Sequence, residues 1–171
     1  MPPPGPGGGH PAGSVAPGSN GVLRGGKGTL WEGGHRVPAL ARWPGRVAAR
    51  RRCAEPTICL DLMPTLVALA GAAAPERPLD GLDLTPVLLG TGALAPRDLF
   101  WEHGTARAMR RGRWKALAGP SVGPQLFDLE RDPSETVDVA QDQPTVATAL
   151  AGAMAAWHEE VWAGATVQPS G

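Results

Sequence analysis

Apolar residues recur at helical spacing in two stretches of the chain. Over Ile58–Gly71, Leu62, Leu66 and Leu69, joined by Met63, Val67 and Ala70, fall on one face at i, i+3, i+4 and i+7 steps. This predicts a helix over 58–71. Asp61 caps its first turn, Pro64 sits where a missing N–H does no harm, and Gly71 stops it. From Pro144 to Trp162 the stripe Val146, Leu150, Ala153, Met154, Trp157 and Val161 predicts a longer amphipathic helix, with Pro144 at its first position. A short helix is expected near Thr85–Leu89, with Pro86 in its first turn and the turn dipeptide Asp80-Gly81 ahead of it.

Other runs are too short for helices and rich in residues that suit strands. Asp98–Glu102, Ala106–Arg110, Arg113–Ala118 and Gln125–Leu129 follow one another closely. Gly112, between the second and third, suits the φ > 0 position of a hairpin turn. Asp132-Pro133-Ser134 reads as a turn. The second half is thus expected to be a small antiparallel meander covered on one face by the last helix. Upstream, Val37–Trp43 predicts one more short strand, ended by Pro44-Gly45. Trp31, Trp43 and Trp114 read as packing residues.

Composition separates the ends from this core. Residues 2–19 hold six Pro and six Gly and no charge apart from His10. Such a segment buries too little apolar surface to offset its ordering entropy, so 1–20 are expected to be a disordered lead. It has neither the basic start nor the apolar centre of a secretory signal. No run of 18 apolar residues is present, so no membrane span is expected, and the compartment stays open. Cys53 and Cys59 read as two ordinary thiols, since two cysteines make neither a disulfide framework nor a zinc site.

Formal net charge is zero, but its distribution is uneven. Arg42, Arg46, Arg50, Arg51 and Arg52 crowd together with no acid between Glu32 and Glu55. No aromatic platform or nucleic-acid-binding signature accompanies them, so they read as a solvated loop and no nucleic-acid partner is expected. A second cluster, Arg107, Arg110, Arg111, Arg113 and Lys115, is interleaved with apolar residues and reads as strand faces around a turn.

Candidate chemistry lies between residues 22 and 38. Lys27 is flanked by Gly25, Gly26 and Gly28, and Gly33-Gly34 follows Glu32. Glycines let backbone approach a ligand closely, and a Lys in such a loop places a compact positive charge where an anion can sit. By these residues alone the stretch is either an oxyanion loop or a solvent-exposed turn. Glu32 and Arg36, four apart, are expected to pair and hold its shape. His103, before Gly104 at a strand end, is either a substrate-facing acid, base or donor, or a surface histidine. His35 is placed beside the loop, while His10 and His158 suggest no role. No G-x-S-x-G and no phosphate-binding P-loop occurs.

The longer string LRGGKGTLWEGGHRVPALARWPG resembles a segment in the C-terminal half of sulfatases, the arylsulfatase-like branch of the alkaline-phosphatase superfamily. ICLDLMPTLVALAG at 58–71, DGLDLTPVLLG at 80–90, LFWEHGTARAMRRGRWK at 99–115 and LFDLERDPSE at 126–135 resemble further family elements, in family order, so that the resemblance covers residues 20–163. It implies a part of an α/β, alkaline-phosphatase-like fold. Residues 21–97 would come from the catalytic domain with its G-K-G loop. Residues 98–163 would be a C-terminal α+β subdomain with a small antiparallel sheet and covering helix, and 164–171 a tail. It implies hydrolysis of sulfate esters, on small molecules or glycans, with Lys27 touching the sulfate. The alternatives are a non-catalytic anion-binding remnant and a phosphate or phosphonate hydrolase of the same superfamily.

Departures from the family pattern matter equally. Its formylglycine arises in a C/S-x-P-S/A-R motif, which neither Cys53 nor Cys59 matches. Its calcium or magnesium is held by carboxylates and an Asp-Asn pair. Here Ser19 precedes Asn20, and no Asp or Glu stands before Glu32. No catalytic residue and no metal ligand is therefore assigned, and the chain alone is expected to be inactive and to bind no cofactor. The strand at 37–43 and helix at 58–71 would normally pack on a larger sheet, so exposed apolar surface and self-association are expected.

Overall fold

Four short strands meet in register because each is followed by a turn that its sequence permits. The structure, a computed structural model, describes residues 18–120 and 122–163. Most of the Gly/Pro-rich lead, with His10, and the tail after residue 163 lie outside them. Strands β1 (Asp98–His103), β2 (Ala106–Arg111), β3 (Trp114–Gly119) and β4 (Val122–Asp128) form one antiparallel sheet in the order β1-β2-β3-β4. Gly104 and Gly112 take φ of +59° and +57° in the two tight connections, where a Cβ would be strained. Pro124 lies in β4, an edge strand, where a missing ladder N–H is tolerated.

Alternation along the strands sends side chains to two different covers. On one face Met109, Ala116 and Leu126 pack with Leu150 and Met154 of the final helix, Pro144–Ala163. Phe100 and Trp157 stack there, nearly parallel, with ring centroids 5.0 Å apart. The predicted stripe is the one that packs, except that Val161 is exposed. On the other face Ala108 and Leu117 pack with Leu30, and Trp31, Trp101 and Ala106 close around them. Phe127 meets Trp31 edge-on at 5.7 Å. The sheet is therefore buried on both faces, by the helix on one and by the glycine-rich stretch on the other. Only the helical cover was expected.

Residues 18–37 and 97–163 form one compact unit, and residues 38–96 a second. The second unit contains a 3-10 turn at Cys59–Asp61 that runs into a helix over Leu62–Ala70, then a short helix at Thr85–Leu89. Both helices end on a left-handed glycine, Gly71 and Gly90. Asp61, fully buried, accepts the Ile58 N–H at 2.8 Å and the Leu82 N–H at 2.9 Å. Its carboxylate thus ties the segment before Leu62 to the 80–84 turn, and makes no cap bond within the helix itself. Thr65 continues this seam by donating to the Asp61 carbonyl at 2.6 Å and accepting the Leu84 N–H at 2.8 Å. A Cβ on Gly81 would run into the Leu60 carbonyl, so the turn needs glycine there.

At the edge of this unit one expectation fails, and within it another holds. No strand forms at 37–43, where Leu40 is wholly exposed and Val37 largely so. A strand needs a neighbour to receive its backbone hydrogen bonds, and all four strands of the described residues lie in the other unit's sheet. The helix at 62–70 buries Thr65, and Leu62, Met63 and Leu66 are each more than half exposed, the open apolar face expected of a helix without its larger sheet. Cys53 and Cys59 are free and exposed.

Candidate functional site

The glycine-rich stretch is closed on itself, backbone against backbone. Gly33 N–H donates to the Arg24 carbonyl at 2.7 Å. Asn20 donates its amide to the carbonyls of Gly25 and Gly33, both at 3.0 Å. A Cβ on Gly33 would come within 2.6 Å of the Gly25 carbonyl, and one on Gly34 would collide with that of Thr29. The two glycines after Glu32 are thus a platform on which residues 24–29 lie. The Lys27 turn stands on it, bounded by Gly25 (φ +74°) and Gly28 (φ +88°) and closed by Thr29, whose N–H and hydroxyl donate to the Gly26 carbonyl at 3.1 and 2.8 Å. Lys27 is exposed, with no acceptor among the described residues.

Beneath the platform is a charged cluster buried in the sheet unit. Glu32, in the single helical turn Glu32–His35, is 1% exposed, and Lys115 of β3 and Glu135 are fully buried. Lys115 points to the loop-covered face, two residues from Leu117. Its Nζ lies 3.0 Å from Glu32 Oε1, 2.7 Å from Glu135 Oε1 and 3.1 Å from His35 Nε2. The Glu135 approach is an ion pair bent too far for a hydrogen bond. Glu135 Oε2 instead accepts the Glu32 N–H at 2.6 Å, and Arg24 donates to the Glu135 carbonyl at 2.8 Å. Glu135 holds this place with a left-handed backbone, φ +52°. Arg36 and Arg110 approach the other Glu32 oxygen at 3.5 and 3.9 Å. The expected Glu32–Arg36 pair is present, as the outer fringe of a larger cluster.

Burial and charge act in opposite directions on these groups. Burial raises the Glu32 carboxyl, but the Lys115 charge and hydrogen bond, aided by the more distant Arg110, outweigh it and hold the group below the usual carboxylate range. For Glu135 burial wins, and its carboxyl sits above that range despite Lys115. Burial, and then the Lys115 charge, push His35 below its ordinary value near 6.5, so its ring is neutral at pH 7. His35 Nε2 also lies 3.1 Å from the Leu30 carbonyl, so the neutral ring either donates there through Nε2–H or, with the proton on Nδ1, accepts from Lys115. The ring also lies against Trp101, centroids 4.4 Å apart.

A stability slope follows from His35. A group whose folded pKa is depressed stabilises fully above its unfolded value and loses that contribution as pH falls toward its folded value. The unfolding free energy should therefore fall as pH drops below about 6.5, and His35→Gln should remove that part of the slope. Glu135, shifted upward, contributes with the opposite sign and does so in both proteins. Urea titrations of the two proteins at a series of pH values measure the difference; identical slopes would refute it.

The other basic residues of the sheet are paired at its rim. Arg107 donates to Glu102 at 2.9 Å, Arg111 pairs with Asp98, and Arg113 with Asp128. His158, which suggested no role in the sequence, contacts Glu102 through Nδ1 and Arg107 through Nε2, each at 2.8 Å. His103 is exposed at the end of β1 and its side chain bonds no described residue. No hydrogen bond joins Lys27 to His103.

A divalent metal does not fit the residues present. Among the described residues no three His, Cys, Asp or Glu side chains converge on a point. The carboxylates nearest the loop face Lys115, and the Asn20 amide is engaged with two carbonyls. The described residues also contain no helix long and apolar enough to cross a membrane.

Comparison with known proteins bears on the whole arrangement. A sequence model of the family described as Sulfatase matches residues 5–72. Steryl-sulfatase of Mus musculus is 39% identical over 159 residues, covering 73% of this chain and 26% of that protein. Arylsulfatase A of Homo sapiens is 41% identical over 165 residues, covering 78% of this chain and 32% of that protein. Among solved structures, Ps i-CgsB in complex with k-i-k-neocarrahexaose superposes with a TM-score of 0.74 at 36% identity, over 81% of this chain and 32% of that one. The chain thus spans at most about a third of the length of these relatives. Its structural neighbours have the alkaline-phosphatase-like fold. With 39% and 41% identity to two sulfatases and a TM-score of 0.74 to the structure named above, the chain belongs to the sulfatase family and corresponds to its C-terminal part.

Proposed function

We propose that this chain supplies the sulfate-holding loop and the C-terminal subdomain of a sulfate ester hydrolase. The observation that carries this reading is Lys27, an exposed cation on a turn fixed by backbone hydrogen bonds, with no acceptor of its own among the described residues. A preorganised positive charge of this kind stabilises negative charge on a transferred group without reorganising at the moment of reaction. A sulfated small molecule or glycan is the substrate class. The nucleophile and the ligands of a calcium or magnesium ion would come from residues other than those described here, since Lys27 cannot replace a nucleophile. His103 is a weaker candidate for the same substrate.

Inorganic sulfate should perturb the backbone amide resonances of residues 25–29 in the purified chain, and Lys27→Ala should abolish the effect. The same preparation should not hydrolyse an aryl sulfate. Sulfate titration without any shift at 25–29 would overturn the role of Lys27. Metal-dependent turnover above the Lys27→Ala control would overturn the need for outside residues. In an intact family enzyme carrying this loop, Lys27→Ala should lower kcat by about 10²–10³.

The leucine face of the 62–70 helix bears on the behaviour of the chain alone. Apolar patches of this kind drive association. Sedimentation velocity should show concentration-dependent self-association that Leu66→Glu reduces; a monomer at all concentrations would contradict it.

A further inference from the structure

We propose that Glu135 is a positioning residue for Lys27, acting through the Glu32 backbone and held in place by Lys115. The proposal rests on the reading of Lys27 as a sulfate-holding residue and adds how that residue is aimed.

Three observations converge on it. The Lys27 turn lies on the Gly33-Gly34 platform so closely that neither glycine could carry a Cβ. That platform continues directly from Glu32, whose N–H is bound by Glu135 Oε2 at 2.6 Å. Glu135 also reaches the start of the loop, because its carbonyl accepts from Arg24 at 2.8 Å, and Arg24 lies 3.6 Å over the Trp31 ring. One residue thus grips both ends of the loop, at positions 24 and 32. A buried carboxylate in this position needs a cation, and Lys115 is that cation. It also lies 3.0 Å from Glu32, so the sheet and both carboxylates are fastened at a single Nζ. The left-handed φ of +52° at Glu135 is an uncommon conformation for a non-glycine residue, and it delivers both the carbonyl and the carboxylate to the loop.

The geometry separates positioning from folding. Glu135→Gly fits the same φ without strain and leaves Lys115 paired with Glu32, so the sheet should remain intact. Glu135→Gln keeps an oxygen able to accept the Glu32 N–H. Amide hydrogen exchange of the full chain, read by peptide, tests this. In Glu135→Gly, amides within 24–36 should exchange roughly tenfold or more faster, as expected for a segment that loses a charge-assisted hydrogen bond. Those within 106–118 should be unchanged, and Glu135→Gln should restore slow exchange at 24–36. Inorganic sulfate should slow exchange at 25–29 in the wild type and Glu135→Gln but not in Glu135→Gly. Unchanged exchange at 24–36 in Glu135→Gly, equal acceleration of the sheet, or equal loss in Gly and Gln would overturn the proposal. Failure of sulfate to slow exchange in the wild type would overturn the Lys27 reading, while the comparison of variants without sulfate would still decide whether Glu135 orders the loop.

Discussion

Lys115→Met should lower the unfolding free energy by about 3–5 kcal/mol, the cost of removing one partner from a buried ion cluster. Methionine nearly matches the lysine stem in volume, so packing loss is small. What remains is two carboxylates, Glu32 and Glu135, in a site that is 1% exposed or less. They repel each other and have lost their shared cation. Arg36 and Arg110 compensate poorly, since they approach Glu32 only at 3.5 and 3.9 Å. Replacing the whole cluster should behave differently. Glu32→Gln, Glu135→Gln and Lys115→Met together leave no buried net charge and should recover much of the loss. Urea denaturation followed by tryptophan fluorescence measures both. A single variant within 1 kcal/mol of wild type would show that the cluster hydrates freely, about the size expected only of a surface pair.

Trp157→Ala should cost about 3 kcal/mol, the lower end of the range for large aromatics. The ring is half-buried and stacks flat on Phe100 of β1 at 5.0 Å. Losing it removes one face of that stack and leaves Leu150 and Met154 as the buried contacts of the helix with the sheet. Both sit earlier in the helix, so its last turns should fray before its first. Thermal melts give the cost, and exchange along 144–163 gives the position. A small cost with uniform exchange would mean that the helix docks through Leu150 and Met154 alone.

Sequence patterning reached the meander and both helices that carry strong periodic or terminal signals. Gly112, Pro86, Gly71 and Pro144 each mark a boundary through backbone geometry, which acts locally and can be read locally. The stripe Leu150–Met154 worked for the same reason. Lys115 was different. A lysine among arginines in a short strand reads only as part of a strand face, because lysine is almost never fully buried unless paired. Its partners stand 83 and 20 positions away in either direction, and no local signal links them. The same limit applies to Val37–Trp43, whose residues suit a strand but whose pairing partner is not among them. Lys27 was found by glycine spacing and family likeness. Its platform was visible only as two glycines, and the reason for them, backbone packed on backbone, needed coordinates.

The chain leaves the sheet unit at Val37 and comes back to it at Arg97. The loop and the strands it covers are thus joined across a long excursion, and every contact between them closes that ring. The entropy of such a closure grows only with the logarithm of length, about 0.6 kcal/mol for each doubling. Halving or doubling the excursion therefore changes the docking of the loop far less than the loss of one buried lysine. What secures the loop is the chemistry at its two anchor points, and the length of chain between them is nearly free to vary. Insertions and deletions between Pro38 and Pro96 that spare the seam of Asp61, Thr65 and Gly81 thus cost the docking of the loop little, while the ring's fastening at Glu32, Lys115 and Glu135 leaves almost no latitude.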